Sequence, residues 1–235
     1  MNSNSTIETI NSIVGSDSYF QLAFETWLVT CPRFLQFLEE YDSKIRKKVR
    51  EATDEDRKKD LVAELHIAWL ILKQPGMEVK YEPWGNKEAA PDFMVTENSH
   101  SWCIEVKHLR DISQPLDLEA DEVVLPEIPS NENRLRNIVT RSLRQWRNDM
   151  PTLLWINTQC GNTDIVELTE VLFKLSQSNT LEDLSGAFIL STWPSSTVNM
   201  RSLLRVNQNA KLELSYDAIK FLLYVEKLDK IYGNN

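Results

Sequence analysis

The chain has 235 residues, 42% hydrophobic and 26% charged, and a formal net charge of −9 at pH 7. That balance excludes a fibrous repeat and a disordered chain, and the odd, widely spaced Cys31, Cys103 and Cys160 exclude a disulfide framework or a cysteine zinc site. Net acidity also argues against a general nucleic-acid coat protein, although a local basic face and a bound metal would still let such a chain engage DNA.

The length favours one folding unit over 1–235, with a helical extension over 1–50, a core over 54–200 and a C-terminal helical segment over 201–235. Met1-Asn2-Ser3-Asn4-Ser5 has neither the basic nor the apolar part of a signal peptide. The most apolar run, Leu65 to Leu72, is interrupted by His66 and is too short to span a bilayer, so a cytoplasmic protein without membrane contact is expected.

In chain order, Phe20, Leu22, Ala23, Phe24, Trp27 and Leu28 recur at helical spacing, and after Pro32 a second run carries Phe34, Leu35, Phe37 and Leu38. Lys44, Arg46, Lys47, Lys48 and Arg50 follow Glu39, Glu40 and Asp42, a mixed run that reads as a solvated helix surface. Thr53 is the expected cap of the next helix, whose first turn holds Asp54, Glu55 and Asp56 and whose stop is Pro75-Gly76. On that helix Glu64 falls between Ala68 and Ile71, among core-facing positions, with His66 and Lys73 nearly opposite. A carboxylate placed there needs a partner, and two readings stand: a metal ion, or a backbone amide at the edge of the packed face.

Glu78 to Glu82 alternates and runs into a turn at Pro83-Trp84-Gly85-Asn86; Asp92 to Thr96 and Trp102 to Lys107 follow as further short strands of an antiparallel meander. Asp92 and Met94 share one face of the second strand, and Cys103, Glu105 and Lys107 share one face of the third. Pairing through the Asn98-Ser99-His100 turn would bring Asp92 and Glu105 together near one end of the sheet, where they could hold a divalent cation between them. Lys107 would point the same way as Glu105. Trp84 either stacks on a base or covers the sheet edge. His66, His100 and His108 show no ligand spacing.

Asp111 to Pro129 carries six acids and no base, and reads either as a lid or as a solvated insertion. A helix capped by Ser130 or Asn131 is expected through Asp149, with Leu135, Ile138, Val139, Leu143 and Trp146 on its apolar side. Arg134, Arg136, Arg141, Arg144 and Arg147 stud the same helix, and Arg134, Arg141 and Arg144 lie away from the apolar side. They either grip phosphate, whose oxygens match the guanidinium fork, or form a solvated face that pairs with the acidic loop. Buried strands are expected at Pro151 to Asn157 and Ala187 to Ser191, and a closing helix at Ser215 to Ile231.

A helix bearing Glu64, three strands carrying Asp92 and Glu105-Val106-Lys107, a basic helix and a further strand, with Pro91 before Asp92, together resemble the PD-(D/E)xK nuclease superfamily over roughly Asp54 to Asn157. The resemblance implies an α/β fold with a restriction-endonuclease-like αβββαβ core, a central mixed sheet flanked by helices, and N- and C-terminal helical additions. It also implies that Asp92 and Glu105 ligate Mg²⁺, that the Val106 carbonyl adds an oxygen, that Glu64 is the acid of the first core helix, and that Lys107 assists the attacking water. Magnesium prefers oxygen ligands and retains waters, so such a carboxylate set suits it, with Mn²⁺ as a substitute.

The function that follows is Mg²⁺-dependent hydrolysis of DNA phosphodiesters. A catalytically inactive nuclease fold serving as a DNA- or protein-binding scaffold is the alternative, and an acidic surface that binds a basic protein partner is a third reading. Two cuts on a duplex commonly need two active sites, so a homodimer through the helical ends would suit the leading one.

Overall fold

Helical spacing in the first third of the chain and alternation in the middle resolve into helices packed on both faces of one sheet. The computed structural model describes residues 3–15, 17–85, 89–109, 131–158, 167, 169–174, 181–191 and 201–232. Four helices lead in: α1 (Ser3–Val14), α2 (Ser18–Thr30), α3 (Pro32–Glu40) and α4 (Asp42–Glu51). Then come α5 (Glu55–Leu72), β1 (Met77–Tyr81), β2 (Phe93–Glu97) and β3 (His100–Leu109). Beyond the acidic loop, which lies outside the described residues, follow α6 (Asn131–Ser142) with a 3₁₀ turn Leu143–Gln145, β4 (Thr152–Thr158), β5 (Gly186–Ser191), β6 (Arg201–Val206) and α7 (Tyr216–Tyr232).

The fold is α/β, and its six strands lie in sequence order from β1 to β6 in one mixed sheet. β1, β2 and β3 are antiparallel neighbours, β4 and β5 are added parallel, and β6 closes antiparallel on β5. The central strand β4 is buried at every position, as a strand covered on both faces must be. Leu153 and Trp155 pack with α5, the N-terminal helices and α7, whereas Leu154 and Ile156 pack with Leu135 and Val139 of α6. The helices of residues 1–50 are therefore part of the main core: Phe34, Phe37, Leu38 and Ile45 share one cluster with Leu65 of α5 and Tyr81 of β1.

Three boundaries differ from the sequence reading. Asp54 rather than Thr53 caps α5, its carboxylate accepting from the Arg57 amide at 2.8 Å, because an anion at the N-terminus also meets the helix dipole. The basic helix stops at Ser142 and its 3₁₀ turn ends at Gln145, short of Asp149. There the buried Ser142 hydroxyl bonds back to the Val139 carbonyl at 2.7 Å, and the Arg147 amide turns to the Thr152 hydroxyl at 3.2 Å to lead into β4. Residues 201–206, expected within a helical segment, form β6, which pairs with β5 along its whole length from Gly186↔Val206 to Ser191↔Arg201. Six residues give no decisive period, and the unpaired edge of a buried strand decides the matter. The closing helix is found where its spacing placed it.

Candidate metal centre

The β2–β3 hairpin turns at Asn98, whose φ of 54° lies in the left-handed region that asparagine tolerates. Its register pairs Phe93 with Ile104, so Asp92, one step outside β2, stands opposite Glu105. The Val106 amide donates to Asp92 Oδ2 at 2.8 Å and fixes that carboxylate at the end of the ladder. Glu105 is 0% exposed; its Oε1 accepts from Lys107 Nζ, its Oε2 has no amide, hydroxyl or ammonium donor among the described residues, and the Asp92 carboxyl is its hydrogen-bonding neighbour when protonated. Lys107 follows two places on, on the same face, as strand alternation requires.

Across the mouth of the β1–β2 hairpin the ladder continues one step, the Glu82 amide donating to the Asp92 carbonyl at 2.7 Å. Glu82 carries φ 43°, an uncommon conformation for a residue with a side chain, and it opens the turn closed by Gly85, whose amide reaches the Glu82 carbonyl at 3.2 Å. From the helix layer α5 extends Glu64 to the same place, between the fully buried Ala68 and Ile71 as its spacing indicated. One carboxylate oxygen from each of Glu64, Glu82 and Asp92 lies within 4.8 Å of the others. Glu82 was not singled out by the sequence, although the alternation of β1 runs directly into it.

Lys48 of α4 enters the cluster from outside the expected set. Its ammonium lies 2.7 Å from Glu64 Oε1 and 2.6 Å from Glu82 Oε1, and 4.8 Å from the centre of the Tyr81 ring. Lys44 pairs with Glu82 Oε2 at 3.3 Å. The Lys44 to Arg50 run is thus only partly a solvated surface: its two lysines nearest the sheet neutralise acids that lie elsewhere in the chain.

Burial dominates the electrostatics of the strand-borne pair. It raises the Asp92 carboxyl well above its ordinary range, the Glu105 and Glu64 charges adding to the effect. It pushes Glu105 up to about 7, with Lys107 opposing and Glu64 reinforcing the shift. Glu82 behaves otherwise: burial would raise its carboxyl, but Lys48 and Lys44 outweigh burial and hold it below the ordinary value. Burial likewise works against the Lys48 ammonium, and Glu64 and Glu82 reverse that, holding its pKa above the usual lysine value. A buried carboxylate oxygen without an amide, hydroxyl or ammonium donor, beside a second carboxylate that shares its field, fits a cation ligand set. Comparison with protein-family models, curated proteins and solved structures finds no match.

The arginines divide. Arg141 and Arg144 are exposed, whereas Arg136 pairs with Glu132 at 3.2 Å and Arg134 is half-buried at the start of α6. Arg147, beyond the helix, is clamped by Asp149 at 2.8 and 2.7 Å and lies 5.2 Å over the Trp84 ring. Gln145, next to Arg144, lines a cleft with Trp84, Pro91, Asp92 and Glu82, so the C-terminal end of the basic helix borders the acidic cluster. His108 leaves the cluster and bonds Asp60 of α5 through Nδ1 at 2.8 Å. His66 packs against both Trp27 and Trp69, at 5.7 and 5.3 Å between ring centres, and the two tryptophans meet each other at 6.3 Å, which makes it a packing residue on the side of α5 opposite Glu64.

Proposed function

We propose that the chain is a Mg²⁺-dependent endonuclease that hydrolyses DNA phosphodiesters, with α5, β1, β2, β3, α6 and β4 as the αβββαβ core of a PD-(D/E)xK nuclease. The observation that carries this reading is the meeting of Asp92, just before β2, with Glu105 in the middle of β3, with a buried Glu105 oxygen lacking an amide, hydroxyl or ammonium donor among the described residues and Lys107 beside it. The element order from α5 to β4 supports it, as does Glu64, one of whose oxygens lies within 4.8 Å of an Asp92 oxygen.

Asp92 and Glu105 are the ligands, and Glu64 completes the acidic face. A strand residue directs its N–H and C=O toward the same neighbour, so Val106, whose amide meets Asp92, turns its carbonyl to that side as a further oxygen ligand. A divalent cation held there would lower the pKa of water and withdraw charge from the phosphoryl oxygen. Lys107 orients the attacking water and stabilises developing negative charge, anchored through Glu105. Mn²⁺, which accepts the same oxygen donors, substitutes for Mg²⁺. Arg141 and Arg144, with Arg134 further along α6, contact the phosphates of the DNA strand on the cleft side.

The test is cleavage of plasmid and single-stranded DNA by the purified protein with Mg²⁺, Mn²⁺ or EDTA. Cutting is expected with either metal and not with EDTA, and Asp92→Ala and Lys107→Ala should each lower the rate by about 10²-fold or more. Folded wild type that binds DNA yet cuts neither substrate would replace this reading with the scaffold one.

A further inference from the structure

We propose that Lys48 is a tethered counter-ion that fills the Glu64–Glu82 arm of the acidic cluster, so that the centre takes one divalent cation, on the Asp92–Glu105 side, and not two. The inference rests on the metal-centre reading above. Glu64, Glu82, Asp92 and Glu105 supply enough carboxylates for a pair of ions, and two-ion centres hold their metals about 4 Å apart across shared carboxylates. Here the second position is taken. Lys48 Nζ sits between Glu64 Oε1 at 2.7 Å and Glu82 Oε1 at 2.6 Å, backed by the Tyr81 ring at 4.8 Å.

Glu82 is fully engaged by this arrangement, since Lys44 holds its other oxygen at 3.3 Å. Glu64 gives Oε1 to Lys48, and on the other side of the cluster Glu105 keeps its buried Oε2. Lys48 is therefore a positioning residue. It acts by orienting Glu64 and withholding Glu82, and α4, outside the helix–strand core, becomes part of the centre.

The experiment is a Mn²⁺ titration of the full-length protein without DNA, counting bound ions by electron paramagnetic resonance of free Mn²⁺. Wild type should bind one ion. Lys48→Met should bind two, the second between Glu64, Glu82 and Asp92. Glu82→Gln, which leaves Lys48 its contact with Glu64, should still bind one ion with affinity within about threefold of wild type, and it decides the matter should Lys48→Met not fold. Two ions in wild type, one ion in folded Lys48→Met, or a loss of tenfold or more in Glu82→Gln would overturn the counter-ion role while leaving the metal centre standing. No ion in any of the proteins would overturn the metal centre, and this inference with it.

Discussion

Glu105, a proposed ligand, shows what a carboxyl group costs in a buried position. Its ordinary carboxyl value is 4.5, and burial pushes it to about 7 in the fold despite Lys107. A group raised in this way favours the folded state below its unfolded value and loses that advantage as the pH rises through the folded one. Metal-free protein is therefore expected to lose stability between pH 4.5 and about 7 as Glu105 ionises, and Asp92, also raised by burial, acts in the same direction. His66 works oppositely: burial, with the Lys73 charge adding, lowers it from 6.5 to about 4, so its contribution falls away as the pH drops below 6.5. The difference between wild type and Glu105→Gln separates the two. In thermal melts without metal, Glu105→Gln should melt above wild type near pH 7.5, with the gap closing toward pH 4.5. Added Mg²⁺ should raise the wild-type melting temperature at pH 7.5 and leave Glu105→Gln nearly unmoved, because a cation replaces the proton only where the carboxylate can form. Equal melting temperatures at both pH values would remove the argument from Glu105.

At the scale of elements, the C-terminus of α5 decides how firmly Glu64 and the start of β1 are held. Helix ends leave carbonyls without partners, and here Arg33 of α3 takes them: Nη1 reaches Leu72 O at 3.0 Å and Gln74 O at 2.9 Å, and Nη2 donates to Met77 O. Replacing Arg33 with Ala removes the donor from the Leu72 and Met77 carbonyls, the Gln74 carbonyl keeping the Met77 amide at 3.3 Å, and is expected to cost about 2 kcal/mol in urea unfolding, with the slope unchanged. A loss below about 0.5 kcal/mol would mean water satisfies them equally well. The same element view explains what the sequence made legible. α5, β2 and β3 could be read because their signals are local: an acidic first turn, strict alternation, and an Asn98 turn that sets the register of Asp92 against Glu105. β6 and the surroundings of Glu82 and Lys48 could not, because each depends on a partner distant in sequence, and the end of α6 could not, because Ser142 and Arg147 end it by hydrogen bonds that apolar spacing does not register. β6 is a strand by virtue of β5, and Lys48 looks solvated until α4 is laid beside Glu64 and Glu82.

On the scale of the whole molecule, the net charge of −9 means that the DNA contact proposed above would have to be confined to a restricted side. The described acids of the centre are largely neutralised from within, Lys44, Lys48 and Lys107 being bonded to Glu64, Glu82 and Glu105. None of those three lysines is thus a free contact for phosphate at long range. The basic helix offers more: Arg141 and Arg144 are exposed, and Gln145, which follows them, lines the cleft that holds Asp92. A strand laid across that end of α6 would meet guanidinium groups before it met carboxylates, and each phosphate neutralised would release a counter-ion. Reversing both residues, Arg141→Glu with Arg144→Glu, should weaken binding to any duplex sequence alike and lower the slope of log affinity against log salt by about two, one for each lost phosphate contact. The measurement is fluorescence anisotropy with labelled duplex over a range of KCl, in Ca²⁺ or EDTA to prevent cutting. Because neither side chain is buried, melting temperature should stay within a few degrees of wild type, which separates lost contact from lost fold. An unchanged slope would place the DNA on another face, and an unchanged slope with intact cleavage would leave the exposed arginines as a solvated surface.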